Sequence, residues 1–332
     1  MRNLLVVGGT GYLGKNIIID LGANYDNVFI VSRSLLDEVN NSNITHIKLD
    51  LFEKNWNDKL ESYLIGSFDV VITAWPALSD YGHDIHFQFA KVIVEFFNWI
   101  LDYSPRKIYI SGTCFEYESI QGEARINDRL LGRNNYAKAK VIAYKGFLNV
   151  FQRNTSNSTS VLYQRIWYLY GRENSPRSLL AKIDSISHLG RQNDKLQTID
   201  LESSGEQYLD YVHIDEIIAE IRSFLKVKSS SKSFIVSNGC SGKPVKLKEF
   251  IVGYLATNKI NNIRLNWSCD EDLKSQNSMG LRKRWFLNSQ QLLWLLSTLA
   301  SVIPSILIHV LIQLLYPSRG YSSRFFWIIT LP

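Results

Sequence analysis

Cysteine, methionine and proline are scarce in this 332-residue chain, at three, two and seven residues. The cysteines (Cys114, Cys240, Cys269) are far apart and form no CxxC, which excludes a disulfide-stapled scaffold and a cysteine-built zinc site. They fit a reducing compartment, and a cytoplasmic location is expected. At 45% hydrophobic residues, the chain is neither a disordered nor a collagen-like polymer. Acidic residues are absent after Asp272, while six basic residues follow it (Lys274, Arg282, Lys283, Arg284, Arg319, Arg324). Setting those six aside leaves 31 basic against 31 acidic residues, so the formal charge of +6 belongs to the C-terminal tail. That placement argues against a nucleic-acid-binding face. His83 and His86 form an HxxH without further Cys or His nearby, which reads as the surface of a helix, and no metal is expected. The opening apolar run is too short for a signal peptide and ends in glycines.

What is present alternates. Short apolar runs at Leu4–Val7, Val28–Ser32, His46–Leu49, Val70–Thr73, Lys107–Ser111 and Val161–Arg165 are separated by helix-length segments, among them Tyr12–Leu21 and Phe87–Leu101. This pattern predicts an α/β fold, a Rossmann-type doubly wound parallel sheet with helices on both faces. A smaller C-terminal substrate-binding lobe is expected from 171–206 and 226–291, with 207–225 returning to the 1–170 nucleotide-binding domain.

Residues 4–14 read Leu-Leu-Val-Val-Gly-Gly-Thr-Gly-Tyr-Leu-Gly. A buried strand feeds a tight turn, and a helix starts inside the glycines. Glycine allows positive φ and lets a pyrophosphate approach backbone N–H groups at a helix N-terminus. In this context Gly8-x-x-Gly11-x-x-Gly14 is a dinucleotide-binding fingerprint that includes Thr10, Tyr12 and Leu13. An acidic residue at the end of the second strand would favour NAD. Val31-Ser32-Arg33-Ser34 stands there instead, and Arg33 suits a 2′-phosphate, with Ser32 and Ser34 as further donors. NADP is therefore expected over NAD. Asp50-Leu51, after the third strand, is placed to meet the adenine. Thr73 and Ala74, after the fourth, complete the candidate cofactor set.

Tyr136 and Lys140 are four apart and share a helix face. A lysine ammonium favours the neighbouring phenolate and brings a tyrosine towards working pH. With 17 tyrosines the spacing alone arises by chance. It gains weight from Thr113, which follows the fifth apolar run, where ligands bind in parallel sheets, and could hold a substrate oxygen beside Tyr136.

These motifs resemble the extended short-chain dehydrogenase/reductases, the NAD-dependent epimerase/dehydratase family acting on nucleotide sugars. The resemblance runs from Met1 to about Leu293. It rests on the glycine turn, Ser111-Gly-Thr113 through Tyr117, Tyr136-x-x-x-Lys140, Arg165-Ile-Trp-Tyr-Leu-Tyr170-Gly171 and Gln207-Tyr-Leu-Asp210-Tyr-Val-His-Ile-Asp215-Glu. It implies Tyr136 as acid/base and Lys140 as the residue that lowers its pKa and binds the nicotinamide ribose. It also implies Thr113 as sugar anchor, and a homodimer. Family 4,6-dehydratases carry Asp-Glu after this threonine, whereas Cys114-Phe115 follow it here, which points away from dehydration. Together with Arg33, this suggests an NADPH-dependent reduction of a nucleotide-linked 4-keto-6-deoxyhexose. Redox-neutral 4-epimerisation with tightly bound NAD is the alternative, and a non-catalytic NADP sensor a third. Tyr168 replaces a family Asn that often touches the substrate, and Leu209 a common substrate-facing Arg. Arg177 and Arg191 are candidate diphosphate ligands.

Leu292 to Pro317 carries no charge and follows Arg282-Lys-Arg284. The run is long enough for a membrane contact, with the basic flank on the cytoplasmic side. A buried helix pair or oligomer contact, and a non-native extension replacing the usual terminus, are equal readings.

Overall fold

The computed structural model describes residues 2–35, 42–118, 122–154, 158–192, 195–227 and 231–268. The apolar 292–317 run and the end of the expected lobe, from 269, lie outside the described residues.

The apolar runs become strands covered on both faces by helices. In chain order these are β1 (Arg2–Val7), α1 (Tyr12–Leu21), β2 (Asn27–Ser32), β3 (Ile44–Lys48), α2 (Trp56–Glu61), β4 (Ser67–Ile72), α3 (Ile85–Asp102), β5 (Lys107–Thr113), α4 (Asn135–Arg153) and β6 (Ser160–Ile166). They continue as β7 (Tyr168–Tyr170), α5 (Leu179–Gln192), β8 (Gln197–Leu201), β9 (Tyr208–Leu209), β10 (Tyr211–His213), α6 (Ile214–Lys226), β11 (Ser233–Gly239), β12 (Val245–Lys246), α7 (Leu247–Thr257) and β13 (Ile263–Trp267).

One seven-stranded sheet runs β11-β6-β5-β4-β1-β2-β3. Every pair in it is parallel. The two-residue period of a strand sends alternate β1 side chains into separate cores. Leu5 and Val7 pack with Phe96, Phe97 and Phe147 of α3 and α4. Leu4 and Val6 pack with Ile17, Ile18, Ile217 and Ile221 of α1 and α6. The strand order reverses between β1 and β4, so a crevice opens at their C-terminal ends, where ligands bind in such sheets.

Ser233–Gly239 departs from the expected division of the chain. It was expected inside the lobe, but it is the seventh strand of the main sheet, paired with β6 alone. Its weak signal has a physical cause. An edge strand is only half-buried, so Ser233, Ser237 and Asn238 interrupt the apolar run. The smaller lobe is built from α5, α7, the pair β8–β13 and the antiparallel pair β9–β12. Its core is Leu180, Ile183, Ile199, Leu247 and Ile251.

Beneath the end of β5 lies an ion pair between Glu116 and Arg165, 2.8 Å apart, with both side chains at 0% exposure. Glu116 Oε1 also accepts the Thr113 N–H at 2.8 Å and the Tyr163 hydroxyl at 2.7 Å. Its carbonyl accepts the N–H groups of Leu131 and Gly132, both at 3.1 Å. Gly112 makes room, since a Cβ there would come within 2.6 Å of the Tyr163 ring. The Glu116→Gln protein keeps the shape but leaves Arg165 as an uncompensated buried charge. We expect a loss of about 3–5 kcal/mol, read as a lower urea midpoint. An unchanged midpoint would show that the pair does not hold this region together.

Candidate active site

The glycine turn is built by close approach. Gly8 has φ +91°, and a Cβ there would lie 2.4 Å from the Ala74 nitrogen. A Cβ on Gly14 would lie 2.3 Å from the Gly8 carbonyl oxygen. Helix α1 begins after Gly11 with no side-chain cap and no acidic residue in its first turn. Its leading N–H groups therefore suit an anion. A cavity of about 310 Å³ opens beside the turn, lined by Gly8, Thr10, Gly11, Ser32, Arg33, Ser34, Asp50, Leu51, Thr73 and Ala74 among others. Its glycine cradle and uncapped helix start fit a dinucleotide pyrophosphate.

The residues expected to hold a cofactor divide into those that line this cavity and those that do not. Tyr12, Leu13 and Gly14 are the first turn of α1 and do not line it; the Tyr12 hydroxyl donates to the Gly171 carbonyl at 2.7 Å. Arg33 is exposed and has no partner among the described residues. Ser32 also lines the cavity. It is buried, and its hydroxyl donates to the Ser34 carbonyl at 2.6 Å. Asp50 Oδ1 accepts the Phe52 N–H at 3.0 Å.

Tyr136, Lys140 and Thr113 come together at the C-terminal end of β5. Helix α4 starts where Asn134 caps the Ala137 N–H at 2.9 Å. Gly132 reaches that start with φ +69°, at a position where a Cβ would meet the Lys138 nitrogen at 2.4 Å. Burial pushes the Tyr136 phenol up, and the neighbouring Thr113 opposes that rise. Lys140 is buried, and its Nζ donates to the Ser111 carbonyl at 2.9 Å. Desolvation pushes its ammonium down to about 8, against the pull of Glu116. The Cys114 thiol is pushed up to about 12 by burial and is inert.

The walls are aromatic. Tyr81 stands 5.2 Å from Tyr136 and 6.3 Å from Phe115, and Phe115 stands 6.0 Å from Tyr168. Trp75 and His86 also border Tyr136, with ring centroids 6.0 and 5.4 Å away. Sequence reasoning missed Trp75 and Tyr81, because the 73–84 connection has no periodicity to read. His86 corrects the surface-helix expectation, being 1% exposed. The described residues hold no cluster of three His, Cys, Asp or Glu suited to a metal. Arg177 and Arg191 line two other depressions along α5 and do not border the glycine-lined cavity. None of the described helices is long and apolar enough to cross a membrane.

Residues 4–236 match the NAD dependent epimerase/dehydratase family, well over half of the chain. The chain belongs to this family. No curated protein matches it significantly. Solved structures of family-like fold do. One is a UDP-N-acetylglucosamine 4-epimerase from Methanobrevibacter ruminantium in complex with UDP-N-acetylmuramic acid. It is 19% identical with a TM-score of 0.67, over 88% of this chain and 92% of that one. A UDP-glucose 4-epimerase from Thermotoga maritima with UDP-glucose is 16% identical with a TM-score of 0.65, over 87% and 91%. A dTDP-glucose 4,6-dehydratase from Bacillus anthracis with NAD is 15% identical with a TM-score of 0.64, over 87% and 88%. At these identities the likeness is one of fold.

The depressed lysine of this family member has a stability signature. Folded Lys140 releases its proton near pH 8 and the unfolded chain near its ordinary 10.5. Between those values the unfolded state binds more protons, so this group makes stability rise with pH. Measured against Lys140→Met, the wild type gains about 2–3 kcal/mol across that window. Urea unfolding of both proteins at several pH values measures the gain, and a constant difference would contradict a desolvated ammonium.

Proposed function

We propose that the protein is an NADPH-dependent reductase of a nucleotide-linked 4-keto-6-deoxyhexose. The carrying observation is the gathering of Tyr136 and Lys140, one helical turn apart on α4, against the end of β5, where Lys140 donates to the Ser111 carbonyl and Thr113 acts on the Tyr136 phenol. A bound nicotinamide supplies the hydride. Tyr136, held protonated by burial, gives its proton to the oxygen that was the ketone. Thr113 holds that oxygen beside the phenol, and the Lys140 ammonium favours the phenolate left behind. The nucleotide sugars and NAD named in the solved relatives support the substrate and cofactor class.

Three further features support reduction of a deoxysugar. The Phe115–Tyr168 wall suits a sugar with a methyl in place of a hydroxymethyl group. Dehydration needs a free carboxylate after Thr113, but Glu116 is committed to Arg165, Tyr163 and the Thr113 N–H. The preference for NADPH rests on Arg33, exposed at the cavity and without a described partner. Two 4-epimerases among the fold relatives support a second reading, redox-neutral epimerisation with retained NAD. A cofactor that co-purifies and does not exchange would decide for it.

The Tyr136→Phe protein should lose about 10²–10⁴ of kcat while binding cofactor as before. Persisting turnover, followed at 340 nm with 4-keto nucleotide sugars, would overturn this assignment. The Arg33→Asp protein should shift its preference from NADPH towards NADH. If the ratio of the two dissociation constants stays the same, Arg33 plays no part in selecting the cofactor.

A further inference from the structure

Lys140 is a buried cation with few partners. Apart from the Ser111 carbonyl, its ammonium meets the face of Trp75, with Nζ 4.0 Å from the ring centroid. The titratable groups around it are Tyr136 on its own helix, Glu116 acting from beyond Thr113, and His86 behind the indole. A π-face stabilises a desolvated ammonium only when the ring is held flat against it.

The ring is held by His86. The Trp75 Nε1–H donates to His86 Nδ1 at 3.2 Å. An accepting Nδ1 puts the histidine proton on Nε2, which lies 3.2 Å from the Asp80 carbonyl and donates to it. Both imidazole nitrogens are thereby used, and the ring is 1% exposed. Phe89 also packs against the indole, at 5.4 Å in an edge-on contact. The same histidine anchors the loop whose Tyr81 carbonyl accepts the Tyr136 N–H at 2.9 Å.

We infer that His86 is a positioning residue for the catalytic pair, which fixes the Trp75 indole against the Lys140 ammonium and so sets how readily that ammonium forms. This rests on the reading of Lys140 as the proton-relay partner of Tyr136. It does not depend on which substrate is reduced.

The test uses the full chain without cofactor. Lys140 is labelled competitively with acetic anhydride across about pH 6 to 10, and its peptide is quantified by mass spectrometry. The His86→Phe protein fills the site but has no acceptor for the indole N–H. The Trp75→Phe protein keeps a ring but has no N–H to give. Each should lower the labelling midpoint of Lys140 by roughly one pH unit. The double variant should shift no further than either single, because both act through one contact. An unmoved midpoint in either single variant, or shifts that add in the double, would overturn the inference. If His86→Phe does not fold, Trp75→Phe alone decides. Repeating the labelling of the wild type with NADPH and NADH separates the two levels. If neither protects Lys140, the assigned function fails, while the cofactor-free midpoints still decide the role of His86.

Discussion

The buried pair of Glu116 and Arg165 is the contact on which the site depends. Neither side chain reaches water. An ion pair so placed is weak evidence for stability, because desolvation consumes most of its Coulombic gain. Its value is geometric. One carboxylate fixes the Thr113 backbone and the Tyr163 hydroxyl, and the same residue's carbonyl receives the loop that leads into α4. Thr113 on one element and Tyr136 on the next are held in register by a single residue between them.

Above that floor, the chemistry is governed by burial acting on groups of opposite sign. Desolvation disfavours charge on both, so it pushes the Tyr136 phenol up and the Lys140 ammonium down. The site thus keeps a protonated phenol beside a lysine that titrates near pH 8. Thr113 favours the phenolate, while the pull of Glu116 favours the ammonium. The aromatic wall of Trp75, Tyr81, Phe115 and Tyr168 is what makes the local dielectric low enough for these opposed shifts.

Two lines of the sequence were legible for separate reasons. The alternation of apolar runs with helical segments is a surface-burial pattern, and it read through to six of the seven strands. The glycine turn and Tyr136-x-x-x-Lys140 are local geometries, fixed by spacing within one turn or one helix. Ser233–Gly239 escaped because an edge strand has no need to be apolar on both faces.

By itself, then, the sequence determined the parallel α/β sheet, the glycine cradle and the Tyr–Lys pair, since each follows from periodicity or from contacts a few residues apart. Tertiary structure alone decided the rest. It turned Glu116 from a residue near the candidate threonine Thr113 into a committed ion-pair partner. It took the Ser32 hydroxyl for the Ser34 carbonyl, and it carried His86 from an expected surface into the interior beside Trp75. The reason is common to all three. A polar side chain's partner is set by whatever the fold brings within about 3 Å, and separation along the chain does not encode that distance.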